Sequence, residues 1–392
     1  MKRLYPLTNI SSGDKRAVTW KITLSLFSLC LLFISSPAEA YTPEKVKYAE
    51  HFSIEYKENG VKIVTESRGK RLLLVPRGKH IPAEYRRSNM PVVRTPVKRA
   101  MLCSTTYVSF LRFLDEKKSL YSSIAAVTTR SEKWTDETIR EMMENGKISY
   151  FPYIFGQKLG AEGIIAYRPE IVFTSDKTAD VSRIDSQLEA AGIISVCIDN
   201  YMEKSDNAYL EWLKFFGAFY NMDEEGDIAF RKNKAEMDRL KSRITELEKN
   251  KKLSRPSVAV GNFFKGIYLT KPGNSKYKNI TESAGGKFLP DEAVIFGENG
   301  RLSPEKFLES CKNADILIYR STDERTPSME ALLAQSVVLK GIKAVKENNV
   351  YVLDRGYYMN AAEIVEKFKD LVFIFHPGLM PGHKLRHFRK LK

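Results

Sequence analysis

The chain has 392 residues, 43% of them apolar and 28% charged, with a formal charge of +15. That length accommodates two domains of ordinary size, and that apolar share fills their cores, which excludes a disordered or fibrous protein. The excess of cations suits an anionic ligand or surface, and equally plain solubility.

The amino terminus carries Lys15, Arg16 and Lys21, then the apolar run ITLSLFSLCLLFI (22–34), then Pro37 and the small-residue site Ala38-Glu39-Ala40. A run of about 13 residues is too short to span a bilayer, which needs roughly 20, so residues 1–40 read as an export signal cleaved after Ala40. An uncleaved anchor is the alternative. Cys30 lies inside the run behind Leu29, a poor setting for lipid attachment. Removing Lys2, Arg3, Lys15, Arg16, Lys21, Asp14 and Glu39 with the leader lowers the formal charge from +15 to +12. Cys103, Cys197 and Cys311 remain, an odd number without metal-ligand spacing, and read as buried thiols.

Residues 51–78 alternate apolar and polar side chains around Asn59-Gly60, which predicts a hairpin and a third strand in an edge sheet. VKRAMLCSTTYVSFLRFLDE (97–116) reads as a strand, a turn at Ser104-Thr105-Thr106, and an amphipathic helix. SSIAAVTT (122–129), EIVFTSD (170–176) and IISVCID (193–199) repeat the alternation of strand and helix. Such a rhythm predicts a mainly parallel α/β lobe that binds at the carboxyl ends of its strands.

Residues 223–255 place Met237, Leu240, Ile244 and Leu247 at helical spacing, a long helix lying along the body rather than a coiled coil. Beyond Pro256 the rhythm restarts with SVAVGNF, a helix near 275–285, ADILIYRS, a further helix, NNVYVLDRG, and a closing helix that ends at His376-Pro377. The expected organisation is a lobe at 41–222, a linker helix at 223–255 and a lobe at 256–392.

Enzyme motifs are missing: there is no Gly-rich phosphate loop, no nucleophile elbow, and no carboxylate–histidine spacing for metal hydrolysis. His51 and His80 lie in the hairpin region, and His376, His383 and His387 in a basic tail read as solvated, so no imidazole metal site is expected. The predicted strand ends instead offer Ser104, Thr105 and Thr106; Phe263, Lys265 and Tyr268; Tyr319 and Arg320; and Arg355, Tyr357 and Tyr358. Aromatic walls with a few fixed cations suit a bulky, partly planar anion, which guanidinium groups grip in bidentate fashion. Glu162 and Glu305 each fall in the first turn of a short helix that feeds a buried strand, at matched points in the two halves. The helix dipole alone favours such a carboxylate, but the repetition points to a partner that reads both lobes.

In the order of YAEHFSIEYKENGVKIVT, VKRAMLCSTTYVSFLRFL, AEGIIAYRPEIVF, EWLKFFGAFYN, ESAGGKFL and DLVFIFHPGLMPGHKLRHFRKL, the chain resembles the substrate-binding proteins of ABC importers whose two lobes are joined by one long helix, the cobalamin and ferric-siderophore group. The resemblance covers roughly 45–392. It implies two α/β lobes with mainly parallel sheets, a ligand cleft between them, limited lobe movement and no catalysis. It leaves the ligand open. With the export signal, the paired glutamates and the basic, aromatic cleft, the first expectation is a periplasmic monomer without cofactor that carries a ferric chelate to an inner-membrane ABC permease, and export with scattered basic residues argues against a nucleic-acid partner. In that family a glutamate opening the corresponding helix of each lobe docks on permease arginines, the role it implies for Glu162 and Glu305. Cobalamin, haem or a stand-alone sensing function on the same scaffold are the alternatives, and YIFGQ (153–157) stands where a more polar loop is common.

Overall fold

The computed structural model describes residues 41–152, 160–175, 182–270, 276–290 and 300–392. YIFGQ and the leader lie outside these residues. Pro43–Lys392 forms one compact unit.

An antiparallel ribbon, β1 (Ser53–Tyr56) and β2 (Lys62–Thr65), turns at Asn59 and Gly60, both at positive φ, and β3 (Arg71–Pro76) follows as the alternation requires. A fourth strand, β4 (Val92–Thr95), adds in parallel to β3. The ladder of the amino-terminal lobe runs β7-β6-β5-β8-β9, all parallel: β5 (Ala100–Leu102), β6 (Ile124–Val127), β7 (Ser149–Tyr150), β8 (Ile171–Thr174) and β9 (Ile194–Cys197). Its helices are α1 (Thr106–Leu114), α2 (Glu137–Glu144), α3 (Ala161–Ala166), α4 (Asp185–Ala190), α5 (Asp206–Leu210) and α6 (Trp212–Tyr220). Every residue of α6 is buried, as expected of a helix apolar around its circumference apart from Lys214, whose charge is paired.

The long helix α7 (Asp223–Lys249) buries Phe230, Met237, Leu240 and Ile244 and lies along the body, as the spacing predicted. The second lobe is built on β10 (Ser257–Phe264), β11 (Ile267–Leu269), β12 (Lys287–Leu289), β13 (Arg301–Leu302), β14 (Ile316–Thr322), β15 (Val350–Leu353) and β16 (Phe388–Lys390). Its helices are α8 (Lys276–Ser283), α9 (Pro304–Cys311), α10 (Met329–Leu333), α11 (Lys343–Lys346) and α12 (Ile364–Phe375). Strands β12, β10, β14 and β15 are parallel; β11, β13 and β16 run antiparallel to their neighbours. Two α/β lobes with mainly parallel sheets and a single long linking helix are therefore the architecture.

Both chain ends of this unit are tied down. The N–H groups of Lys47, Tyr48 and Ala49 donate to the buried Glu211 carboxylate, those of Glu50 and His51 to Glu203, and that of Glu44 to Asp227. Lys214, 1% exposed, supplies the counter-charge 3.5 Å from Glu211 and 3.4 Å from Asp227. The carboxyl-terminal segment corrects the expectation of a solvated tail. Phe388 and Leu391 are apolar enough to bury, β16 pairs with β15, and the wholly buried Asp370 accepts from the N–H groups of Arg386 and His387 and pairs with His383. Cys103, Cys197 and Cys311 are buried free thiols, and burial pushes Cys103 and Cys311 up to about 12.

Candidate functional site

In a parallel sheet the carboxyl strand ends share one edge, and in the first lobe that edge is rich in hydroxyls. Ser104, Thr105 and Thr106 follow β5 half-buried, with Ser104 Oγ 3.0 Å from Thr106 Oγ1. Thr128 and Thr129 follow β6, and the Arg130 guanidinium lies 5.5 Å from the ring centre of Tyr150 at the end of β7.

The second lobe presents charge. Arg320, on β14, stacks 4.0 Å over the ring of Tyr277 from α8 and donates from Nη2 to its hydroxyl at 3.0 Å. Tyr357 and Tyr358, beyond β15, complete its surroundings, their rings 5.3 Å apart and nearly perpendicular. Burial, then the nearby Tyr277, raise the phenol of Tyr209, from the first lobe, and Tyr209 in turn adds to the rise at Tyr357. Burial, then the neighbouring Tyr277, push the Tyr357 and Tyr358 phenols above their ordinary range, so both are neutral donors at physiological pH. Among the described residues no carboxylate lies within ion-pair distance of Arg320, and its Nε has no hydrogen-bond partner.

Strand alternation separates the remaining candidates. Tyr319 points to the opposite face from Arg320, and its buried hydroxyl accepts from Phe263 N–H and donates to Gln335 Oε1. Phe263 and Tyr268 are cross-strand partners on β10 and β11, packed on Phe307 of α9, with the Tyr268 and Phe307 rings 3.8 Å apart. These three side chains belong to the core. Phe263 and Tyr268 support the helix that carries Glu305 rather than facing the cleft. Lys265 is exposed at the two-residue turn between β10 and β11, where it and Gly266 both take positive φ. Arg355 is exposed, 4.0 Å from Glu324. Of the residues singled out in the sequence, the structure thus brings together Arg320, Tyr357 and Tyr358. Tyr277 and Tyr209 join them from helices whose amphipathic pattern gave no sign of a site.

The lobes meet beside this cluster. Arg112 of α1 donates to Asn360 Oδ1 at 2.8 Å and Glu363 Oε1 at 2.5 Å, and Ser109 Oγ accepts from Ala362 N–H. Thr135 lies 3.5 Å from Met359 Sδ, and Lys133 pairs with Glu324 at 3.6 Å. The segment that carries Tyr357 and Tyr358 is therefore also the one the first lobe grips.

Glu162 and Glu305 are exposed on α3 and α9. Strand order makes the two positions equivalent: α3 precedes β8, which pairs with β5, and α9 precedes β14, which pairs with β10. Ser303 caps α9, and its hydroxyl, with the helix's first N–H groups, holds the Glu305 carboxyl below its ordinary range. Helix α3 is seated by Phe151 and by Tyr167, whose hydroxyl donates to Tyr150 O.

A family model of periplasmic binding proteins matches residues 104–357, and the chain belongs to that family, whose members bind ligands rather than transform them. An uncharacterised lipoprotein of Methanocaldococcus jannaschii is 25% identical over 366 residues, covering 88% of this chain and 85% of that protein. A periplasmic solute-binding protein from Veillonella parvula has the same fold at a TM-score of 0.57 and 15% identity, covering 83% of this chain and 89% of the other. A periplasmic heme-binding protein from Pseudomonas aeruginosa matches at a TM-score of 0.53 and 17% identity, covering 71% and 93%. Among the described residues no helix is long and apolar enough to cross a membrane, and no cluster of His, Cys, Asp and Glu is arranged to hold a metal ion.

Proposed function

We propose that the protein is the exported, ligand-capturing component of an ABC importer, that its ligand is an anionic iron chelate, and that it hands this ligand to an inner-membrane permease. The observation that carries this reading is Arg320. A guanidinium enclosed by Tyr277, Tyr357 and Tyr358, with no carboxylate in ion-pair contact among the described residues, is costly to keep unless an anion completes it. The phenol faces supply area for a partly planar ligand, and the hydroxyls of Ser104, Thr105 and Thr106 supply hydrogen bonds from the opposite lobe. Glu162 and Glu305, at equivalent places, serve as the two contacts with the permease. Residues 1–40 direct export, and the mature protein acts as a periplasmic monomer.

A siderophore-type ferric chelate is the first reading. Haem is the second, favoured by the similarity to the Pseudomonas aeruginosa heme-binding protein and by the cluster of tyrosines.

The test is a fluorescence titration of residues 41–392 with ferric siderophores, their iron-free forms, ferric citrate, haem and cobalamin. Saturable quenching by an iron-loaded chelate, weaker for its iron-free form, supports the first reading, and a response to haem alone moves the ligand to the second. Binding of cobalamin alone, or of none of the panel, overturns the iron assignment.

A further inference from the structure

Away from the cleft, residues 77–99 carry Arg77, Lys79, Arg86, Arg87, Arg94, Lys98 and Arg99 against one carboxylate, Glu84. The arginines are not loose. Arg77 Nε donates to Pro96 O at 3.0 Å, Arg86 Nε to Ile81 O at 3.3 Å, and Arg94 Nη1 to Lys79 O at 2.8 Å. Arg99 reaches Arg168 O and Tyr167 O at 3.1 and 2.9 Å. Carbonyls fix these guanidinium groups without neutralising them, and among the described residues only Arg77 also meets a carboxylate, Glu170 at 2.7 Å. Lys79, Arg87 and Lys98 add exposed charge, and Arg168 extends the face from the end of α3. Ile81, Tyr85 and Met90 lie half-exposed among these cations.

Fixed cations interleaved with partly exposed apolar side chains, spread over a face rather than gathered in a pocket, match the interface of an anionic bilayer. The face also lies at the amino ends of β5 and β8, opposite the edge that bears Ser104, so a protein resting on it leaves its cleft open.

We infer that residues 77–99, with Arg168, form a peripheral docking surface for anionic phospholipid headgroups. The experiment is co-sedimentation of residues 43–392, the compact unit, with vesicles of phosphatidylcholine alone or mixed with phosphatidylglycerol, at rising salt. Binding should require phosphatidylglycerol and fade with salt. Replacing Lys79, Arg86, Arg87 and Lys98 together by Glu should weaken it at least about fiftyfold with an unchanged urea midpoint. The same four-charge reversal at Lys232, Arg243 and Lys249 on the linker helix and Lys252 just beyond it should leave most of the binding. Equal loss in both variants would reduce the effect to net charge and overturn the assignment. So would failure to bind phosphatidylglycerol vesicles at low salt, including the case in which soluble polyphosphate binds and vesicles do not.

Discussion

The two lobes repeat one strand order yet end it in different chemistry. The first finishes its strands in hydroxyls, Ser104, Thr105 and Thr106. The second finishes in Arg320 walled by Tyr277, Tyr357 and Tyr358. On the function proposed here, a duplicated frame divides its labour: one lobe holds the charge that would select an anion, and the other offers neutral donors that would tolerate variation in the ligand's outline. On their outer surfaces the lobes are alike, each with a carboxylate opening the helix before an inner strand. Difference inside and likeness outside are what the proposed carrier, specific for its cargo and read symmetrically by a permease, would require.

The largest expected effect tests the likeness. Glu162→Ala with Glu305→Ala should abolish uptake in cells while leaving ligand affinity intact, and the two single variants should fall between, about equally. A wide gap between the singles would show that the lobes are not read alike.

Arg320→Met should come next, weakening binding of the anionic chelate by about 30- to 100-fold, the cost of losing hydrogen bonds to a charged group, measured by the same fluorescence titration. Ser104→Ala should cost less than about fivefold. An inverted ranking would break the division of labour.

The seam between the lobes gives a pH test. Burial opposes ionisation of Glu363, but His387 and Arg112 outweigh it and hold the carboxyl below its ordinary 4.5. Asp136, 3.6 Å from Arg112, is likewise held below 3.8, because Lys118 and Tyr121 outweigh its burial. Carboxyls depressed in the folded state contribute their stability above the unfolded values and lose it as pH falls through the folded ones. Urea midpoints should therefore be level from pH 7 to about 5 and drop below about 4. Arg112→Ala should lower stability at pH 7 by roughly 2 kcal/mol and flatten that acid decline. A variant as acid-sensitive as the parent would remove Arg112 from the seam. The smallest effect belongs to Lys133→Ala, whose exposed pair with Glu324 contributes at most about 0.5 kcal/mol.

Much of this frame is legible in the sequence because strands and helices announce themselves by period. The parallel lobes, the helix with Met237, Leu240 and Ile244 on its buried side, and the turn at Asn59-Gly60 all follow from spacing. The candidate cluster is half legible. Arg320, Tyr357 and Tyr358 stand at strand ends, where a parallel sheet places its ligands, whereas Tyr277 and Tyr209 reach the same spot from helices, which only tertiary packing can tell. Phe263, Tyr268 and Tyr319 misled for the converse reason. Each stands near a strand end, but alternation turns Tyr319 away from Arg320, and the β10–β11 pairing turns the other two onto Phe307. The tail misled through its charge, since Phe388 and Leu391 bury while their basic neighbours stay outside.

The way both chain ends are bound matters for anyone who wishes to turn this receptor into a sensor. Trimming to residue 52 would leave the buried Glu203 and Glu211 with none of the five backbone donors from residues 47–51 that satisfy them, and trimming before Arg386 would strip the backbone donors of Arg386 and His387 from Asp370. A fluorophore fused close to either end would strain these joints. The turn at Lys265 and Gly266 is exposed and already adopts the conformation of a tight reversal, and it is the place to carry a dye that watches the cleft fill.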